Sequence, residues 1–301
     1  MQKDIILRGL IADSAVNFIA ISGREMVKKA RDTHNLSRVC TAALGRTLLV
    51  SSMMGAQMKN ETDRVTNIVK GGGPAGNIVC TAYMGGIVKG YIENPEIELP
   101  LGPDGKLDVS SAVGWYGDLT VIRDLSLKEP YIGNSRMVSG EIAEDFANHF
   151  ALSEQQPSLV YLGVRVAPQD GAVLSAGGLM LQPLPFCDER VLDALQEKAQ
   201  EIQGLSGELA QGAELEAVLE RLFGGMGFAI TERSTPLYAC DCSRERLERV
   251  LVSLGDEELQ DMIEKDGGAE LKCQFCNTVY RFNTQDLSAL YKEARSEDDG
   301  E

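Results

Sequence analysis

"SRVCTAALGRTLLVSSMMGAQMK", residues 37–59, decides what kind of fold this chain adopts. The segment is too long for one strand and is rich in Ala, Leu and Met, so it reads as a mostly buried helix with Ser37 as its N-cap. Strand patterns surround it. Upstream, "DIILRGLIA" (4–12) and "AVNFIAIS" (15–22) have the length and β-branched content of strands, and "DSA" (13–15) turns between them as a hairpin. Downstream, "RVTNIVKG" (64–71), "NIVCTAYMG" (77–85) and "GIVKGYIEN" (86–94) read as short strands separated by glycine turns. A second helix is expected around "SGEIAEDFANHFALS" (139–153). It is followed by "SLVYLGVRVAP" (158–168) and "AVLSAGGLMLQPL" (172–184), with a hairpin signal at Asp170-Gly171. The pattern predicts an α+β domain over residues 1–185, β-sheets packed with helices, rather than a series of βαβ units.

At "PLPFCDER" (183–190) the character changes. Leu192, Leu195, Ala199, Ile202 and Leu205, then Leu215, Val218, Leu219 and Leu222, recur at helical spacing among many glutamates, and Gly204, Gly207 and Gly212 interrupt the two sets. Residues 186–232 therefore read as a helical linker. It is either a helical hairpin packed on the first domain or a marginal hinge that depends on its neighbours for stability. A small unit at 233–292 follows, then an acidic tail at 293–301.

That small unit holds two tight cysteine pairs, Cys240 and Cys242 in "YACDCSRERL" (238–247) and Cys273 and Cys276 in "LKCQFCNTVY" (271–280). Seven cysteines in 301 residues is an odd number, far below the density of a disulfide scaffold, and "MQKDIILRGL" lacks the pattern of a signal peptide. A reducing cytoplasmic setting is expected, so the pairs point to a metal. The longest apolar stretch, "TLLVSSMMGAQM" (47–58), is too short to cross a bilayer. A formal charge of −16 disfavours nucleic acid and anionic membrane surfaces as partners.

A unit this small buries too little apolar surface to be comfortable alone. Two short-spaced pairs separated by a longer loop bring four sulfurs to about 2.3 Å from one tetrahedral Zn²⁺, which contributes roughly 10–16 kcal/mol of folding free energy. Zinc held by all four sulfurs cross-links the loop between Cys242 and Cys273. Were each pair to oxidise within itself, only tiny rings would be closed, and the long-range tie would be lost with the metal. The unit would then unfold. Arg244, Arg246, Lys272 and Arg281 are near in sequence to offset the charge of the thiolates.

The pairs "CDC" and "CQFC", the approach "LQDMIEKDGGAELKCQFC" (259–276) and the following "VYRF" (279–282) resemble the redox-regulated 33 kDa chaperonin family. "TAALGRTL", "VKGGGPAGNIV", "GKLDVSSAVG", "VSGEIAEDFA", "SEQQPS" and "AGGLMLQPLP" carry the resemblance over nearly the whole chain. The resemblance implies a cytosolic chaperone, not an enzyme, that is inactive when reduced and holds one Zn²⁺ per chain. On oxidation such a chaperone forms disulfides Cys240–Cys242 and Cys273–Cys276, releases zinc and unfolds its zinc unit and linker. It then holds unfolding client proteins without ATP, and it forms a homodimer when activated. Read from the residues alone, two other classes stand beside it. A thiol-disulfide oxidoreductase would use the same motifs but lacks the βαβ context, and a zinc-ribbon docking module would suit nucleic acid poorly at this charge.

Weaker signals read as structure. "GGGPAG" (71–76) fits G-x-G-x-x-G, yet a strand rather than a helix follows it, so it reads as a tight connection and not a dinucleotide site. Cys40, Cys80 and Cys187 read as buried structural thiols, and no elbow or oxyanion signature supports Cys40 with His34 or His149 as a nucleophilic pair. Met53, Met54 and Met58 fit the core better than a client-binding surface.

Overall fold

The computed structural model describes residues 3–185 and 187–298, with the side chains of 293–298 excepted. The chain forms two compact units, Met1–Ala239 and Cys240–Glu301.

The first unit is layered around the segment that opened the sequence. Helix α2 (Arg38–Gly55) is buried at almost every position, and the Ser37 side chain accepts a hydrogen bond from the Cys40 amide as its N-cap. A helix apolar on all sides needs cover on all sides. Two sheets supply it, with α1 (Arg24–His34) alongside. The first sheet has the order β10-β1-β2-β9-β8. It comprises β1 (Ile5–Ile11), β2 (Val16–Ser22), β8 (Leu159–Val166), β9 (Val173–Pro183) and β10 (Ala229–Ser234). The second has the order β11-β5-β4-β3-β6-β7. Its strands are β3 (Arg64–Lys70), β4 (Ile78–Tyr83), β5 (Ile87–Ile92), β6 (Asp118–Asp124), β7 (Tyr131–Arg136) and the two-residue β11 (Leu237–Tyr238). Every pairing is antiparallel except β11 on β5. The α+β class is the one the sequence predicts.

Close packing of α2 rests on its glycines. A Cβ at Gly55 would stand 2.5 Å from the Tyr83 carbonyl oxygen on β4, which as backbone cannot move aside.

The central strands of the first sheet, β1, β2 and β9, are buried on both faces, with the period of two that strands impose. Ile6, Ile19, Ile21 and Met180 face the α2 core. Leu7, Ile11, Val16, Phe18, Leu179 and Leu181 face outward. The outward face is covered by α5 (Glu189–Glu197), α6 (Ala199–Gln203), α7 (Leu205–Ala210) and α8 (Leu215–Phe223), which bury Leu195, Ile202, Leu205, Leu209, Leu215, Val218, Leu219, Leu222 and Phe223 upon it. Most of the segment expected as a linker is thus four short helices within the first unit, and its residues 229–232 belong to β10. Residues 233–239, assigned from sequence to the small unit, lie instead in the first unit with β10 and β11.

The remaining helices of this unit are α3 (Val109–Val113) and α4 (Ala143–Leu152). The glycine-rich "GGGPAG" packs against the C-terminal end of α3. The Gly73 and Ala75 amides donate to the Val113 and Ala112 carbonyls at 2.8 and 2.9 Å, so they are already committed. This is the tight strand connection expected from sequence.

The second unit has a hairpin of β12 (Gly268–Lys272) and β13 (Val279–Asn283), with α9 (Arg244–Ser253), α10 (Asp256–Asp261) and α11 (Thr284–Asp298). Among the described residues its buried centre is Leu251, Leu259, Phe282 and Leu287. Of the expected acidic tail, residues through Asp298 belong to α11, and residues 299–301 lie outside the described residues.

Candidate metal centre

The two cysteine pairs, far apart in sequence, meet at one point in the second unit. Cys240 and Cys242 precede α9, whose start is fixed by Ser243 accepting from the Arg246 amide. Cys273 and Cys276 sit in the turn between β12 and β13. There the Cys273 amide donates to Thr278 O at 2.9 Å and the Asn277 amide to Cys273 O at 2.8 Å. Asn277 has φ 60°, a left-handed conformation that Asn tolerates better than most residues.

All four Sγ atoms lie within 4.8 Å of one another. Cys240 and Cys273 are 3.7 Å apart and Cys242 and Cys276 are 3.3 Å apart. Four sulfurs at the Zn–S distance in a tetrahedron would be separated by about 3.8 Å. The donor set therefore fits a thiophilic tetrahedral ion such as zinc in both chemistry and spacing. The sequence singled out these four residues, and the fold brings them together.

The electrostatics differ from the sequence expectation. Arg244 is engaged by Glu248 and Asp286 and stacks over the Phe282 ring, Arg246 pairs with Asp241, and Arg281 pairs with Glu270. The arginines thus neutralise carboxylates rather than sulfurs. The sulfurs are met instead by hydroxyls. Tyr280 Oη lies 3.2 Å from Cys242 Sγ, and Thr278 Oγ1 lies 3.2 Å from Cys276 Sγ. Sequence reading missed both residues, although Thr278 and Tyr280 are two apart in an extended stretch and so share one side of it.

Burial pushes the Cys240 and Cys273 thiols up. Burial also acts on Cys276, but hydrogen bonds from the Thr278 hydroxyl and amide and from the neighbouring cysteines outweigh it and bring that thiol down to about 7. The site thus contains one thiol already inclined to ionise, as metal ligation requires.

The other thiols stand apart. Cys40 and Cys80 are fully buried, and burial raises both. Cys187 is only half-buried, at the margin of the helical cover, which corrects its assignment as a buried thiol. Cys40 Sγ is directed to the Asn94 carbonyl, while His34 meets Tyr238 and His149 meets Ser135, so the geometry supports no Cys–His pair. Met53, Met54 and Met58 are core residues. Among the described residues no helix is long and apolar enough to cross a membrane.

A large α+β body followed by a small unit that carries a four-thiol, metal-capable centre is the class of protein that the fold and the site define. The sequence profile described as Hsp33 protein matches residues 4–283. The 33 kDa chaperonin of Clostridium perfringens is 43% identical over 97% of this chain and 92% of that protein. The 33 kDa chaperonin of Clostridioides difficile is 41% identical over 97% of this chain and all of that one. The crystal structure of the 33 kDa chaperonin (heat shock protein 33 homolog) of Thermotoga maritima superposes with a TM-score of 0.88 at 37% identity, covering 97% of this chain and 99% of that one. The chain belongs to the Hsp33 family and is by that membership a chaperone.

Proposed function

We propose that this chain is a redox-regulated, ATP-independent holdase of the cytoplasm, not an enzyme, which binds unfolding proteins during oxidative and heat stress. The observation that carries the reading is the convergence of four sulfurs in a unit whose buried core, among the described residues, is four side chains. In the reduced state Cys240, Cys242, Cys273 and Cys276 hold one zinc ion, which supplies a cross-link between the segment before α9 and the β12–β13 turn. Oxidation to disulfides Cys240–Cys242 and Cys273–Cys276 withdraws the ligands and leaves rings too small to replace that tie. The small core cannot hold the unit together alone, and it unfolds.

The segment 186–232 is the second part of the switch. Its helices are short, separated at Gly204 and Gly212, with Gly207 inside α7, and stable only through the sheet beneath them. Their loosening uncovers a face of Leu7, Ile11, Val16, Phe18, Leu179 and Leu181. An apolar sheet face of that extent is suited to unfolding clients, and in the activated state to a second copy of the chain.

The test is zinc content together with suppression of aggregation of an unfolding client, on one sample before and after peroxide at raised temperature. Joint loss of zinc and gain of protection, both reversed by reductant and zinc, is the expected result. Loss of zinc without protection would reduce the site to a structural one and favour the oxidoreductase or docking readings.

A further inference from the structure

Each cysteine pair has one sulfur in contact with a hydroxyl and one without. Tyr280 Oη is 3.2 Å from Cys242 Sγ and 3.3 Å from the Cys242 carbonyl oxygen, to which it donates, so a Cys242 thiol can give its own proton to Oη. Thr278 Oγ1 is 3.2 Å from Cys276 Sγ. Cys240 and Cys273 meet each other's sulfur at 3.7 Å and, among the described residues, no hydroxyl. A thiolate has no proton to give, so once the sulfurs are thiolates both hydroxyls are the donors.

Such a bond draws charge from the lone pair that attacks an oxidant, and it has to weaken as the attack proceeds. We infer that Thr278 and Tyr280 are positioning residues whose hydroxyls restrain the reaction of Cys276 and Cys242 with peroxide, and so set the oxidant threshold of the switch. The inference rests on the reading of the four thiols as a redox centre. In the restrained step a thiolate sulfur attacks one peroxide oxygen, the O–O bond breaks, and hydroxide leaves, with the sulfur becoming a sulfenic acid. The other thiol of the pair then displaces that oxygen as water and forms the S–S bond. In sum, two thiols and one peroxide give one disulfide and two waters.

Two substitutions isolate the hydroxyls. The Tyr280 ring packs against the core of the small unit, so Tyr280→Phe keeps that packing and removes only the oxygen. Thr278→Val keeps the side-chain shape. The full-length protein is loaded with cobalt(II) in place of zinc, and two quantities are read. One is the sulfur-to-metal charge-transfer band, which reports electron density at the thiolates. The other is the rate of metal release at fixed peroxide. Each variant is expected to bind one equivalent of metal, to move the band to longer wavelength, and to release metal about three- to tenfold faster, with the double variant faster still.

An unchanged rate overturns the inference, and so does a faster rate with an unmoved band, which would mean looser packing rather than a lost hydrogen bond. Failure of either variant to bind metal overturns it as well, because the hydroxyl would then be structural. Failure of the oxidised wild-type protein to protect a client would sink the holdase reading and leave this rate comparison standing.

Discussion

Two side chains show how much can hang on one residue here. Cys240 supplies a quarter of the donor set in a unit with almost no apolar reserve. Cys240→Ser should lose zinc, and with it most of the roughly 10–16 kcal/mol that a structural zinc contributes, so residues 240–292 should be disordered even under reductant. Amide exchange and metal content check this, and retention of one zinc with protected amides would refute it. His149 is fully buried beside Ser135, Arg123 and Glu154. Burial lowers it below its ordinary value of 6.5; Glu154 opposes that shift and Arg123 adds to it. The unfolded chain therefore takes up this proton first as pH falls. Stability supplied by neutral His149 is fully present above about 6.5 and is lost as pH drops through the lowered folded value. Denaturation midpoints at about pH 7.5 and about pH 5.5 should differ more in the wild type than in His149→Gln.

At the scale of elements, the helical cover is the informative case. Leu219 is fully buried between α8 and the sheet. Leu219→Ala should cost about 2–5 kcal/mol, and the loss should appear first as faster exchange of amides in 189–223. If the β1, β2 and β9 amides lose protection equally, cover and sheet form one cooperative block and the cover is no separate part of a switch. The sequence disclosed elements in proportion to their apolar pattern. Helix α2 was legible because no strand is that long, and β8 and β9 because their run lengths flank a hairpin signal. The apolar pattern predicts neither α1 nor β6. Strand β7 escaped because "YIGNSR" buries only Gly133 and Ser135, and β10 because "AITERS" buries almost nothing and owes its place to pairing with β1. At the metal centre spacing revealed all four thiols. The hydroxyls of Thr278 and Tyr280 did not announce themselves, because their meaning depends on which way a strand faces.

For the whole molecule, the two compact units should respond differently to loss of metal. A strong zinc chelator under reducing conditions is expected to abolish protection in 240–292 while the first unit keeps a cooperative thermal transition, since its core is large and holds none of the four ligands. Calorimetry with and without chelator checks this, and a single transition that vanishes on chelation would contradict it. The first unit also has an unusual dependence on chain order. Its first strand, Ile5–Ile11, is hydrogen-bonded to Ala229–Ser234, so an edge made at the start of translation waits for a partner made near the end. During synthesis that edge and the apolar face beside it are open to other chains until the ribosome has passed residue 234, and the four clustered thiols follow only afterwards. A protein of this design is itself, while being made, the kind of incomplete chain that needs protection from aggregation.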